Sequence, residues 1–150
     1  MVIARLNLNK IQKILSLIQE YLVEIESLAQ LSLEEFLADK KTQAAAESFL
    51  RRALEAIFDI SRHILSKTYN FKELEYKRIA NELGKKGIVD KDYAEILIKM
   101  AGYRNRMVHF YHEIPPEELY AIIKNHRSDI ERFINEIQKF LSKIQEENNA

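Results

Sequence analysis

The chain has 150 residues, a length for one domain with room for a buried core. Hydrophobic residues make up 47% and charged residues 31%, while 23 Lys+Arg balance 23 Asp+Glu, so a polyanion site has to be a local cluster rather than a global field. The absence of Cys excludes disulfides, thiolate zinc sites and cysteine nucleophiles; no apolar run approaches the roughly 20 residues of a bilayer span, and no signal peptide or anchor is legible, so the expectation is a cytoplasmic protein.

Three Gly and two Pro leave few sharp turns between long periodic stretches, which predicts a single all-α domain over 1–150 with a frayed tail at 146–150. Leu8, Ile11, Leu15, Ile18, Leu22 and Ile25 form one apolar stripe of a first long helix. Ser32-Leu33-Glu34-Glu35 reads as a capping box that opens a short helix around Phe36 and Leu37. Residues 42–66 are apolar around most of the helix circumference, which predicts a central helix. Asp59 and His63 on it, spaced i to i+4, are expected to meet on one face.

A helix is predicted from Lys72 to Leu83, ended by Gly84, with Gly84-Lys85-Lys86-Gly87 as its C-cap and turn. That tetrapeptide is no phosphate loop, having neither a strand before it nor Lys-Ser/Thr after it. Asp90 is expected to cap a helix through Tyr93, Leu97 and Met100 and past Arg106. Pro115-Pro116-Glu117-Glu118 marks a fresh start, since proline is tolerated in a first turn and acids suit the positive end of the dipole. The last helix carries Ile130, Phe133, Ile137, Phe140 and Ile144; its two Phe widen the stripe beyond a coiled-coil seam, so it belongs to a bundle core.

Charge is unevenly placed. Residues 72–112 carry nine Lys/Arg against six Asp/Glu, whereas 113–150 carry five against eight. The positive segment ends in Met100-Ala101-Gly102-Tyr103-Arg104-Asn105-Arg106-Met107-Val108-His109-Phe110-Tyr111-His112. Arg is a permanently charged fork suited to phosphate and His titrates near neutrality, the two properties that metal-free RNA cleavage requires. Asn105 and Arg106 share a helical face with His109, at four and three residues. Arg104 lies five residues away, about 140° around an ideal helix, so it converges on His109 only if the helix loosens or Arg104 reaches. A cation-bearing helix C-terminus, favoured by the dipole, fits the same residues. His109 and His112 lack a third ligand, so no metal and no cofactor is expected.

Arg104-Asn105-x-x-x-His109-x-Tyr111 resembles the R-x4-H-x-Y motif of HepT-like toxins in the HEPN ribonuclease superfamily. The similarity extends to the Met100-Ala101-Gly102-Tyr103 lead-in, to Ile57-Phe58-Asp59-Ile60-x-x-His63-Ile64 and to Leu33-Glu34-Glu35-Phe36, and so spans roughly residues 5 to 145. The resemblance implies a HEPN-type bundle of long antiparallel helices with short connecting ones, homodimeric, with two motif copies around a shared cleft. It implies a metal-independent endoribonuclease in which Arg104 and His109 are catalytic and Asn105 matches the polar position after the arginine; Asn105 and Arg106 are expected to bind substrate, Arg106 and His112, which lie outside the motif, by phosphate contact at most. It implies a partner nucleotidyltransferase antitoxin of the MntA kind that silences the toxin by transferring AMP to Tyr111. A non-catalytic HEPN protein that regulates a nucleotidyltransferase is the alternative the same residues allow.

Overall fold

The computed structural model describes residues 5–109 and 114–149; Tyr111 and His112 lie outside the described residues. Helix α1 (Leu8–Ala29) starts where the Asn7 side chain accepts the Lys10 N–H at 3.0 Å, and it buries Ile11, Leu15, Ile18 and Ile25 as its stripe requires. Helix α2 (Leu33–Ala38) opens on the expected capping box: the Glu35 N–H donates to Ser32 Oγ (3.1 Å) and the Ser32 N–H to Glu35 Oε1 (3.0 Å). Asp39 then caps α3 (Lys40–Tyr69) through the Lys41 N–H (3.0 Å) and the Thr42 hydroxyl (2.9 Å).

Helix α3 is the central one. Leu50, Leu54, Ile57, Phe58, Ile60 and Ile64 are all buried, on several sides of it, and it packs on α1, α2, the hairpin that follows and both C-terminal helices. It continues beyond residue 66 until Asn70 adopts a left-handed conformation (φ 54°) that returns the Phe71 N–H to the Leu65 carbonyl (3.2 Å). Asparagine here does what glycine usually does at a helix end.

The expected Asp59–His63 pair does not form. Asp59 turns to Arg62 (2.9 Å), while His63 Nε2 accepts the Asn7 N–H (3.1 Å) at the start of α1. Spacing permits the pair, but each side chain meets a better partner that the spacing does not reveal. Burial, then the charges of Lys10 and Lys67, hold the His63 pKa below its usual value, which keeps this acceptor neutral.

Helices α4 (Tyr76–Lys85) and α5 (Lys91–Val108) form an antiparallel hairpin. The first begins later than Lys72 because Glu73 takes the Leu74 N–H (3.0 Å) and Arg78 (3.1 Å), holding residues 71–75 out of the helix. Gly84 does not end α4; it lies inside it, where a Cβ would stand 2.6 Å from the Ala94 Cβ, so this glycine sets how closely the hairpin packs. The turn residue is Gly87 (φ 70°), with its N–H on the Gly84 carbonyl (3.2 Å) and the Ile88 N–H on Leu83 (3.0 Å). Asp90 stands at the N-cap of α5 without capping it; its carboxylate faces Lys139 (3.4 Å) and its N–H donates to the buried Glu136 (2.7 Å).

Helix α6 (Pro116–Asn125) begins on the proline pair, as expected, and α7 (Arg127–Asn149) meets the first turn of α5, joined by Tyr93 to the Asp129 carbonyl (2.6 Å) and Arg132 to Asp92 (3.2 Å). The Tyr120 hydroxyl and Lys124 close the other flank on the carbonyls of Leu31 (2.6 Å) and Ala29 (3.1 Å). The expected all-α architecture of long antiparallel helices with short connectors is what these residues build. No helix among the described residues is long and apolar enough to cross a membrane.

Candidate active site

Helix α5 delivers the motif and stops at it. Its last helical residue is Val108; His109 is extended (φ −94°, ψ 116°), exposed, and gives its N–H to the Asn105 carbonyl at 3.2 Å. The helix thus keeps its regular hydrogen bond up to His109 and opens only there. A shallow cavity of about 350 Å³ opens beside it, lined by Asn105, Arg106 and His109 with Lys77, Lys99 and Tyr103. Asn105 and His109, four residues apart, thus share one concave face, as their spacing predicts.

Arg104 does not line that cavity. Its guanidinium lies over the Tyr76 ring, 4.4 Å from the centroid, and Tyr76 is itself stacked on the buried Phe58 at 4.4 Å and 17°. Its Nε is buried without a hydrogen-bond partner among the described residues. A fork held flat on an aromatic ring loses freedom but keeps its charge. Burial raises the Tyr76 pKa, with the Arg104 charge opposing, so the ring remains a neutral platform.

Arg106 spends both arms of its fork on Glu118, at 2.6 and 2.7 Å. The hydrogen bonds from Arg106 hold the Glu118 carboxylate below the usual range. The pair ties the end of α5 to the first turn of α6, across the segment that contains Tyr111. Phosphate contact by Arg106 would mean breaking it. Beside it Tyr103 faces the His126 ring at 6.1 Å, and His126 Nδ1 lies 3.0 Å from Asp129.

One chain therefore brings Asn105, Arg106 and His109 together and sends Arg104 to a neighbouring face. Sequence reasoning missed Tyr76, Lys77 and Lys99, which reach the site from α4 or from a turn further up α5 and share no local pattern with the motif. Glu118 was visible only as an acid in a first turn. Among the described residues no group of three or more His, Asp or Glu is placed to hold a metal ion.

An all-helical bundle that ends one helix on an Arg-Asn-x-x-x-His turn beside a lysine-lined cavity defines a HEPN-type protein. The chain belongs to the family described as Ribonuclease HepT-like, whose model matches residues 18–137. It is 30% identical over 135 residues to a tRNA nuclease HepT of Aphanizomenon flos-aquae, covering 90% of this chain and 92% of the relative. It is 27% identical over 104 residues to an mRNA nuclease HepT of Shewanella oneidensis, covering 69% of this chain and 78% of the relative. Its fold matches that of the tri-AMPylated Shewanella oneidensis HEPN toxin solved in complex with an MNT antitoxin, with a TM-score of 0.79 and 24% identity over 87% of this chain and 97% of the other. The family expected from the motif is the family found.

Proposed function

We propose that the chain is the toxin of a toxin–antitoxin pair, a metal-independent endoribonuclease that acts as a homodimer in the cytoplasm. The observation that carries this reading is His109, at the end of α5 and lining a cavity with Asn105, Lys77 and Lys99, in a chain of the HepT-like ribonuclease family. In this reading His109 takes the proton of a ribose 2′-OH, the 2′ oxygen attacks the adjacent phosphorus, and the bond to the 5′ oxygen breaks as that oxygen takes a proton from the protonated His109 or from water. The products are a 2′,3′-cyclic phosphate and a free 5′-OH. Arg104 neutralises charge on the non-bridging oxygens, and Asn105 orients the ribose or the imidazole.

In this reading dimerisation completes the site, since Arg104 lies on Tyr76 and does not line the cavity of His109, whereas the Arg104 of a second copy sharing the cleft can reach it. Val108, 45% exposed beside His109, and Leu74, 76% exposed before α4, offer apolar surface for that second copy. Arg106 works through Glu118 as a clamp. Substitution tests the reading: His109→Ala and Arg104→Ala each lower RNA cleavage by about 10²–10⁴ with the fold intact, and cleavage persists in excess chelator. Loss of cleavage on chelation, restored by zinc or magnesium, overturns the metal-free mechanism.

Silencing falls to a nucleotidyltransferase antitoxin that transfers AMP to Tyr111, two residues past His109. Each AMP brings a negative phosphodiester and a bulky base to a site made for an anion, and so excludes RNA. With partner and ATP, wild type gains mass in AMP steps and Tyr111→Phe does not; the Phe variant cleaves RNA even with the partner present. AMP found on another tyrosine, or a silenced Phe variant, overturns this assignment. Arg104 held on Tyr76, outside the lining of the His109 cavity, favours one second reading, a non-catalytic HEPN regulator of a nucleotidyltransferase, which predicts no cleavage by wild type.

A further inference from the structure

Three shallow cavities along the α4/α5 hairpin join end to end. The one nearest the turn lies between Lys85 and Lys91, over Asn81 and Ile98. The middle one shares Asn81, Lys85 and Ile98 with it and adds Phe71 and Lys77. The third shares Lys77 with the middle one and ends on His109. Together they make one trough along the helix seam from Lys91 to His109, roughly 27 Å by the rise of α5. The trough leads into the candidate active site rather than standing apart from it.

Its chemistry is consistent along its length. Lys91, Lys85, Lys99 and Lys77 follow one another toward His109, and none has a carboxylate within ion-pair range among the described residues. Of the acids that line it, Glu73 is taken by Arg78 (3.1 Å), which leaves Glu82 and Glu95 against those lysines. The Lys77 stem crosses the seam at Gly102, where a Cβ would stand 3.8 Å from the Lys77 Cε, an ordinary contact. Two half-buried aromatic rings, Phe71 and Tyr103, line the trough in the stretch that Lys77 links.

A basic groove with aromatic faces between its cations is the design that holds an unpaired nucleic-acid strand: the lysines follow the phosphates, and the rings stack on bases without reading sequence. Paired bases offer no free face to such rings. We propose that the α4/α5 trough carries single-stranded RNA to His109, with backbone phosphates at Lys77, Lys85 and Lys91 and bases against Phe71 and Tyr103. This inference rests on the ribonuclease reading for its purpose, but its binding test does not require cleavage.

The probe is a labelled single strand of about 12 nucleotides with 2′-O-methyl riboses, which has no 2′-OH to attack. Fluorescence anisotropy across a salt series reads its affinity for the full chain. The Lys77→Ala/Lys85→Ala/Lys91→Ala variant is expected to bind roughly tenfold or more weakly, with a log–log salt slope shallower by about 2. A duplex of the same length binds wild type less tightly than the single strand, and Lys13→Ala/Lys40→Ala/Lys41→Ala, which removes equal charge elsewhere, leaves the affinity unchanged. The proposal is overturned by any of four results: no binding by wild type, an unchanged affinity in the trough variant, an equal loss in the control variant, or preference for the duplex. A change in oligomeric mass of the trough variant overturns it as well, because the trough is then an interface between copies. Cleavage of unmodified RNA by wild type, measured in parallel, reports on the ribonuclease reading separately.

Discussion

At the scale of residues, two arginines two positions apart have opposite surroundings. Arg106 is bound in a bidentate pair with Glu118, both side chains more than a third exposed, so the pair adds at most about 1 kcal/mol and its value is geometric. Arg104 has no carboxylate partner among the described residues and lies on Tyr76 instead, with a charge still available to a phosphate. A cation over an aromatic face is held by about 0.5–2 kcal/mol, more as it is desolvated. If Arg104 stabilises the transition state, Tyr76 is a positioning residue, and the ring rather than the hydroxyl matters. Tyr76→Leu is then expected to lower kcat about tenfold with KM nearly unchanged, while Tyr76→Phe behaves as wild type. Steady-state kinetics of both variants, with thermal melts to confirm folding, decide it; equal kcat for Leu and Phe would remove Tyr76 from the site.

At the scale of elements, what was legible in the sequence is what neighbouring residues decide among themselves. The Ser32–Glu35 capping box, the proline start of α6 and the apolar stripe of α1 all appear as read, because each involves residues within a turn or two. The misreadings came from competition that local spacing does not contain. Asp59 and His63 were drawn apart by Arg62 and by the Asn7 amide, and Glu73 delayed the start of α4. Gly84 carries the pattern of a helix stop, yet its role is contact with Ala94, a residue of the next helix. That contact gives two glycine-to-alanine changes opposite signs. In a helix interior alanine gains about 1 kcal/mol over glycine, but overpacking costs about 1–3 kcal/mol. Gly84→Ala forces a methyl to 2.6 Å from the Ala94 Cβ, where neither side can yield without shifting a helix, so a net loss near 1 kcal/mol and a lower Tm are expected. Gly102→Ala meets only the Lys77 Cε at 3.8 Å and should melt higher than wild type. Thermal denaturation of both settles it; a Gly84→Ala chain that melts above wild type would deny the close contact.

At the scale of the whole molecule, charge neutrality conceals a sorting of charges. Arg51, Arg62, Arg106 and Arg132 are each paired with carboxylates of the fold, whereas Lys77 and Lys99 beside His109 have none within range among the described residues. The motif residues were legible one by one, and their divergence was half legible in the five-residue spacing that sets them about 140° apart; what was not legible is Tyr76, 28 positions before Arg104 in the chain, which holds the guanidinium. That divergence leads to a prediction about assembly. A two-fold dimer that builds each site from Arg104 of one copy and His109 of the other tolerates one defect per chain, provided that the defects differ. Arg104→Ala and His109→Ala homodimers have no complete site. A mixed dimer retains one, formed by the Arg104 of the His109→Ala chain and the His109 of the Arg104→Ala chain. Since half of randomly re-paired dimers are mixed and each has one good site of two, mixing equal amounts of the inactive variants should restore about a quarter of wild-type RNA cleavage. The recovered rate should rise with time as subunits exchange and stay at zero if the two chains are cross-linked as homodimers before mixing. If the mixture is as inactive as its components although mixed dimers are shown to form, Arg104 and His109 act within one chain, and Arg104 has to leave Tyr76 to reach the phosphate.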